Sequence, residues 1–392
     1  MPSLVFSQET TQESQAKNLK ALNFVTLMDP NLDWWIKVPP NTVSIKNETK
    51  IYRGEKFLYI PLVANSTKTA NEPYKLKYTI FLSKENSDAE ILRDDILEGV
   101  LNVSGNVILL PPIGIVFEDS DEYGNYIFTL NLENVLSGEQ SLSTYKLELI
   151  PWAPSTAVSG AENINDTVKN FNQLNDPALL YSTFLSEDFT FYQRGSWHGL
   201  NPVTYSYFLN AFDKFDFLYE HLIADFQNQN SFNRQKIIML NFFAKRDAID
   251  ENILSRDDIA FQNYVRNELS FDDNPYEKLE SLSSVDLLWG EFFAKGTYEP
   301  VRRILDILAF FEDAEYAKEI MAKKTKPDSS ENAAKLIRGI LYLAAEKSLK
   351  GNAQNKLLQN YLKWADVNDL TPALKLRLRT IFAPKTTSTQ SE

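Results

Sequence analysis

The stretch Tyr74-Lys75-Leu76-Lys77-Tyr78-Thr79-Ile80-Phe81-Leu82 decides the first half of the fold. Lys75 and Lys77 fall on one face, and Leu76, Tyr78 and Ile80 fall on the other. A period of two marks a half-buried strand, because successive side chains of an extended chain point to opposite sides. Working outward, residues 56–63, 99–103, 107–110, 126–132 and 144–150 read as further strands. So does Trp34-Trp35-Ile36-Lys37-Val38, which the following prolines end. Asn65-Ser66-Thr67, Glu72-Pro73, Ser104-Gly105-Asn106 and Ser137-Gly138 supply turn residues between them. Roughly seven short strands without helical periodicity predict an all-β sandwich over residues 22–150.

Within that segment lies Phe117-Glu118-Asp119-Ser120-Asp121-Glu122-Tyr123-Gly124-Asn125-Tyr126-Ile127-Phe128, a D-x-x-G-x-Y pattern that leads into an alternating strand. It resembles the turn before the penultimate strand of immunoglobulin-like domains, where a tyrosine just past the turn bonds back to the backbone. The resemblance places Tyr126 at that corner and Asp121 and Gly124 in the turn. The cysteine pair of antibody domains is absent, so the resemblance implies the broad sandwich class and carries no activity with it.

The period changes near residue 155. Residues 151–175, with Pro151, Pro154, Ser159-Gly160 and an Asn-rich run, read as a linker. Residues 176–383 are helical in pattern. Asn201-Pro202 opens a long helix in the favoured way, with Tyr205, Phe208, Phe212, Phe215, Tyr219, Leu222 and Phe226 spaced three and four apart. Further helices are expected at 231–246, 256–269, 284–295, 300–312, 330–349, 352–365 and 371–382. Short connections between them imply antiparallel neighbours. The run Trp289-Gly290-Glu291-Phe292-Phe293-Ala294-Lys295-Gly296-Thr297-Tyr298 looks like the turn of a tetratricopeptide hairpin, a glycine followed two residues later by an aromatic. A poorer echo surrounds Gly351. The expected fold is therefore multidomain, an immunoglobulin-like β-sandwich followed by an all-α, tetratricopeptide-like helical-hairpin bundle. Residues 1–21 are expected as a flexible leader and 384–392 as a disordered tail.

Composition removes most chemistries. The 392 residues include no cysteine and only two histidines, His198 and His221, which excludes thiolate metal sites, cysteine nucleophiles and a histidine cluster. A net charge of −13 argues against a nucleic-acid binder. The charge is uneven: residues 1–160 carry −7, residues 161–320 carry −13 and residues 321–385 carry +8. The asymmetry fits an anionic partner, or two surfaces that attract one another within the fold. No apolar run reaches the length of a membrane-spanning helix. No Walker A loop, G-x-G-x-x-G or G-x-S-x-G motif is present, so no cofactor is expected.

The acidic loop 118–122 fails as an EF-hand, because Tyr123 and Leu130 stand where its fifth and twelfth positions need ligands, and calcium is not expected. His221 lacks H-E-x-x-H spacing. The paired acids Asp257-Asp258, Asp272-Asp273 and Glu312-Asp313 would suit glycoside hydrolysis only if folding brought two together. Tyr192-Gln193-Arg194-Gly195-Ser196-Trp197-His198-Gly199-Leu200 is the most site-like segment, with Arg194, Trp197 and His198 on a Gly-flanked loop. Together with Trp289, Phe293 and Tyr298 of the hairpin, these are the candidate partner contacts. Catalytic, cofactor and metal residues are expected to be none.

The functional expectation is a non-enzymatic, exported binding or scaffold protein that engages a protein partner through its helical domain. Leu4-Val5-Phe6-Ser7-Gln8 resembles the tail of a secretory signal, so a bacterial protein, periplasmic or secreted, is expected. Two alternatives stand beside it. One is a glycan-directed hydrolase with paired carboxylates in the helical domain, and the other is a periplasmic assembly chaperone that offers a sheet edge to a client strand.

Overall fold

The computed structural model describes residues 19–27, 47–65, 73–100, 107–155, 166–169, 171, 176–187, 201–246, 249–268, 277–279 and 281–383. The chain forms two compact units, passing from one to the other between Ala153 and Pro154. The first is built of β-sheets and the second of helices, a mixed multidomain fold.

The first unit holds β1 (Leu19–Thr26), β2 (Lys50–Tyr52), β3 (Phe57–Asn65), β4 (Pro73–Lys84), β5 (Ala89–Val100), β6 (Val107–Leu109), β7 (Ile113–Ile115), β8 (Gly124–Asn134) and β9 (Glu139–Ile150). One sheet runs β1-β3-β6 with β7 also on β3, and a five-stranded sheet runs β2-β9-β8-β4-β5. All pairings are antiparallel except that of β2 with β9. The two sheets face each other: Tyr59 of β3 stacks on Phe128 of β8 at 4.6 Å, and Phe57 meets the same ring edge-on. Asn23 of β1 donates to the buried Tyr59 hydroxyl at 2.9 Å. β6 and β7 are one strand interrupted at Pro111 and Pro112, which cannot donate to the ladder.

Three readings of this unit change. The leader expected through residue 21 ends earlier, because Leu19 and Ala21 alternate with Lys20 and are buried as the start of β1. Of the strand expected at 99–103, Gly99 and Val100 are the end of β5, which begins at Ala89, and residues 101–103 fall outside the described residues. No residue of β5 is buried, so both its faces carry polar side chains and no alternation betrays it. The Trp34–Val38 strand falls outside the described residues.

The second unit comprises α1 (Pro177–Phe184), α2 (Pro202–Lys214), α3 (Phe217–Ala224), α4 (Ser231–Phe243), α5 (Arg256–Glu268), α6 (Ser284–Lys295), α7 (Tyr298–Asp306), α8 (Phe311–Lys323), α9 (Ser330–Gly351), α10 (Lys356–Asn368) and α11 (Pro372–Phe382). Asp176, Asn201, Asn230, Ser329, Asn355 and Thr371 each cap a helix start with a side-chain oxygen, and Pro177, Pro202 and Pro372 occupy first turns. The long helix expected from residue 201 is broken at Phe215-Asp216. Phe217, Leu218 and Tyr219 are all buried, and three consecutive residues cannot share one helical face. A break lets the chain turn and bury all three. The helix expected at 300–312 is likewise two, α7 and α8, joined by the 3-10 turn Ile307–Phe310.

Glycine sets the closest helix crossings. A Cβ on Gly290 of α6 would press on the Val203 carbonyl and lie 2.7 Å from Ser206 Cβ and Tyr207 N of α2. At that crossing the Ser206 hydroxyl donates to the Leu287 carbonyl at 2.7 Å. Gly339 of α9 meets α8 in the same way, 2.6 Å from Ala317 Cβ. Gly296 closes α6 at φ 68°, where a side chain would be strained.

Candidate binding face

The helical candidates are not a surface. Trp289, Phe293 and Tyr298 are 2%, 4% and 8% exposed, which corrects their assignment as partner contacts. Trp289 stacks on Phe293, and Tyr298 packs against Tyr361 and Trp364 of α10. The hairpin turn is held from the same side. The Tyr361 hydroxyl donates to the Gly296 carbonyl at 2.8 Å, and the Tyr298 hydroxyl donates to Asp369 at 2.7 Å. An aromatic hairpin motif read as a contact surface is thus core. Arg194, Trp197 and His198 fall outside the described residues.

Of the acidic pairs, Asp272-Asp273 falls outside the described residues, and Asp258 and Asp313 are each taken up by a basic partner. Asp258 accepts from both Ser255 and Arg234. Burial opposes its charge, but these bonds hold its carboxyl below the ordinary range. Asp313 accepts from Arg338 at 2.6 Å. In the 118–122 loop, Glu122 pairs with Lys84 and Asp121 accepts from the Glu118 amide at 2.7 Å. Among the described residues no group of three acidic or histidine side chains could hold a metal ion.

Lys236 on α4 is fully buried, its ammonium donating to the carbonyls of Phe184 at 2.6 Å and Ser186 at 2.8 Å. These carbonyls lie at the end of α1, where terminal acceptors lack intrahelical partners. Burial pushes the lysine pKa down to about 7, partly offset by Glu187. Its role is to cap α1, and its full burial leaves it no access to a substrate.

What the structure does bring together lies on the outer side of the five-stranded sheet. Leu76, Tyr78 and Ile80 of β4 and Leu130 and Leu132 of β8 point into the sandwich, so their sequence neighbours point out. Register then places Ile96, Lys77, Glu133 and Gln140 on one rung, and Asp94, Thr79, Asn131 and Leu142 on the next. An open depression of about 500 Å³ is lined by eight residues, Lys77, Thr79, Asn131, Leu132, Glu133, Gln140, Ser141 and Leu142. Leu142 is 65% exposed and Ile96 48%.

The electrostatics of this face are uneven. Around the depression the charged side chains are paired: Lys75 with Glu98 at 2.5 Å, Lys146 with Glu85 at 3.1 Å and Lys50 with Glu148 at 3.0 Å. The bonds from Lys146 and Asn125 hold Glu85 below its ordinary pKa. Thr79 donates to Asp94 at 2.8 Å. Inside the depression, Lys77, Asn131, Glu133 and Gln140 have no side-chain partner among the described residues. Four unpaired polar heads converge beside three flanking ion pairs and the Asp94 carboxylate, which among the described residues is bonded to Thr79 alone.

Sequence reasoning missed this cluster. Lys75 and Lys77 were legible as an outward face, but Asn131, Glu133, Gln140 and Leu142 come from strands more than fifty residues away. Only the register of β8 and β9 aligns them.

No protein-family model and no curated protein matches the chain. Partial likenesses to solved structures include three that differ widely in kind. Escherichia coli alpha-2-macroglobulin, from domain MG7 to the C-terminus, aligns with 92% of this chain and 62% of its own, at 13% identity and TM-score 0.20. Spo0M, a sporulation control protein from Bacillus subtilis, aligns with 40% of this chain and 56% of its own, at 8% identity and TM-score 0.20. A beta-glucosidase from Listeria innocua aligns with 27% of this chain and 15% of its own, at 9% identity and TM-score 0.18. The chain spans less than two thirds of each. Likenesses this slight carry no argument about its fold or its chemistry.

Proposed function

We propose that this is a non-catalytic binding protein whose binding face is the outer side of the five-stranded sheet, with the helical unit as scaffold. The observation that carries the reading is the set of unpaired polar side chains, Lys77, Asn131, Glu133 and Gln140, gathered in one depression. Binding sites place a few polar groups where a ligand can satisfy them. The burial of Trp289, Phe293 and Tyr298 moves the contact away from the helices.

The first unit is read as an immunoglobulin-like sandwich. β8 lies between β9 and β4, and β3 between β1 and β6, which is how such sandwiches order their strands. The Tyr126 hydroxyl donates to the Glu122 carbonyl at 2.9 Å, the bond expected of a tyrosine corner. The second unit is read as a tetratricopeptide-like stack on the strength of the α6–α7 hairpin, closed by Gly296. We place the protein in the bacterial periplasm or outside the cell, where immunoglobulin-like binding modules are common.

Edge pairing with a client strand is the weaker reading. The amides of Leu19, Ala21 and Val25, which point away from β3, are taken up by Glu139, Ser141 and Asn47. The other edge, β5, carries Arg93, Asp94 and Asp95 and a register shift, all of which oppose strand addition.

The test uses full-length protein on a support, challenged with separated protein and polysaccharide fractions of cell envelope. Wild type should retain a component that the Asn131→Ala/Leu142→Asp variant does not, with unchanged unfolding midpoints. Equal retention by both would sink the assignment of this face.

A further inference from the structure

The side chains in the depression narrow the ligand by chemistry. Lys77 brings a positive charge and Glu133 a negative one, directly opposite each other on adjacent strands. Asp94 adds a second carboxylate beside Thr79. An anionic ligand such as a phosphate or nucleic acid meets Glu133 and Asp94, on a chain already at −13. A cationic ligand meets Lys77. Neither sign of charge is matched.

The hydrogen-bonding capacity has a different bias. Asn131 and Gln140 each offer two donors and an acceptor from a planar carboxamide, Lys77 offers three donors, and Glu133 accepts only. Donors and acceptors thus alternate over the two rungs, as a ligand dense in hydroxyls requires, since each hydroxyl both donates and accepts. The flanks are apolar. Leu142 on β9 and Ile96 on β5 stand at opposite ends of the rungs, three inter-strand spacings apart, or about 14 Å. The depression holds no Trp, Tyr or Arg, the side chains that anchor protein–protein contacts. A protein partner would also bury about 800 Å² on this side, the area of roughly 20–30 residues and more than the eight that line the depression present.

We infer that the outer face of the five-stranded sheet binds a neutral oligosaccharide laid across β9, β8, β4 and β5, an inference that rests on the binding-face reading above. Its hydroxyls bond to Asn131, Gln140, Glu133 and Lys77, and the C–H faces of its rings lie on Leu142 and Ile96. The strand spacing, about 4.8 Å, is close to the length of one sugar residue, so successive sugars can address successive strands. In so open a site each bond replaces one to water, which puts the dissociation constant at roughly 10 μM to 1 mM.

Native gel electrophoresis of the full-length protein through gels cast with soluble neutral polysaccharides tests this. The panel is β-glucan, xylan, galactomannan, dextran, starch and pullulan, with heparin and polylysine as charged controls. At least one neutral polymer should retard wild type, and Asn131→Ala/Gln140→Ala should weaken that retardation about tenfold or more. Lys318→Ala, on α8 and far from the face in sequence, should not change it. If no neutral polymer retards the protein, the oligosaccharide inference is wrong. Retardation by heparin or polylysine alone, lost in the double variant, also overturns it while leaving the binding face intact. Retardation by a neutral polymer that ignores the double variant overturns both.

Discussion

Tyr126 and Tyr207 carry the same hydroxyl into different surroundings. Tyr126 donates to the Glu122 carbonyl and holds the turn that launches β8, whereas the Tyr207 hydroxyl, fully buried on α2, meets no acceptor among the described residues. Tyr126→Phe should therefore cost about 1–2 kcal/mol, and Tyr207→Phe should be neutral or stabilising by up to about 1 kcal/mol. Denaturant titration of each variant checks the contrast. Lys236 gives a pH signature. Its folded pKa, about 7, lies below the ordinary lysine value, so between the two the folded protein binds fewer protons than the unfolded chain. Stability then rises with pH over that window, by at most about 1.4 kcal/mol per pH unit, and the dependence vanishes below it. Lys236→Met removes this slope. The unfolding free energy of wild type minus that of the variant should climb from pH 7 to pH 10, and a flat difference would count against a depressed lysine.

Elements pack at the distances their smallest residues permit. At Gly290 and Gly339 an added Cβ meets backbone and side chain of a neighbouring helix, and neither neighbour can yield without shifting the helix. Gly290→Ala and Gly339→Ala should each destabilise by about 1–3 kcal/mol, although alanine is the better helix former. A Cβ at Gly351, the last residue of α9, would meet no atom within 4 Å among the described residues, so Gly351→Ala should stabilise by about 0.5–1 kcal/mol. Thermal melts of the three variants separate crossing from propensity. The same level explains which elements could be read in advance. β4, β8 and β9 were legible because each has one buried face, and β3 because it is a continuous apolar run, buried on both faces from Tyr59 to Val63. β5 was not, since an exposed edge strand has no buried face to alternate with. The break after α2 was hidden because its aromatic stripe continues at helical spacing through Phe215 and Tyr219.

At the scale of the molecule, the basic C-terminal segment is largely spent within its own unit. Arg379 bonds to Asp366, Arg338 to Asp313, and the Arg377 guanidinium lies 3.3 Å from the Phe311 ring centroid. The net acidity remains on the surface, so solubility should pass through a minimum near the isoelectric point of about 4.9, a turbidity titration being sufficient to see it. Composition and periodicity were enough to establish strands before helices, the helix start at Asn201-Pro202, and the absence of cysteine chemistry, because each depends on residue type and local spacing alone. Which aromatics are core and which are surface did not follow from them. Trp289, Phe293 and Tyr298 have the spacing of a hairpin and the chemistry of a contact, and only tertiary packing makes them interior, with Tyr361 and Trp364 of α10 set against Tyr298. The candidate face was equally invisible, since Lys77, Asn131 and Gln140 become neighbours through strand register, and register is fixed by burying the opposite side of the sheet.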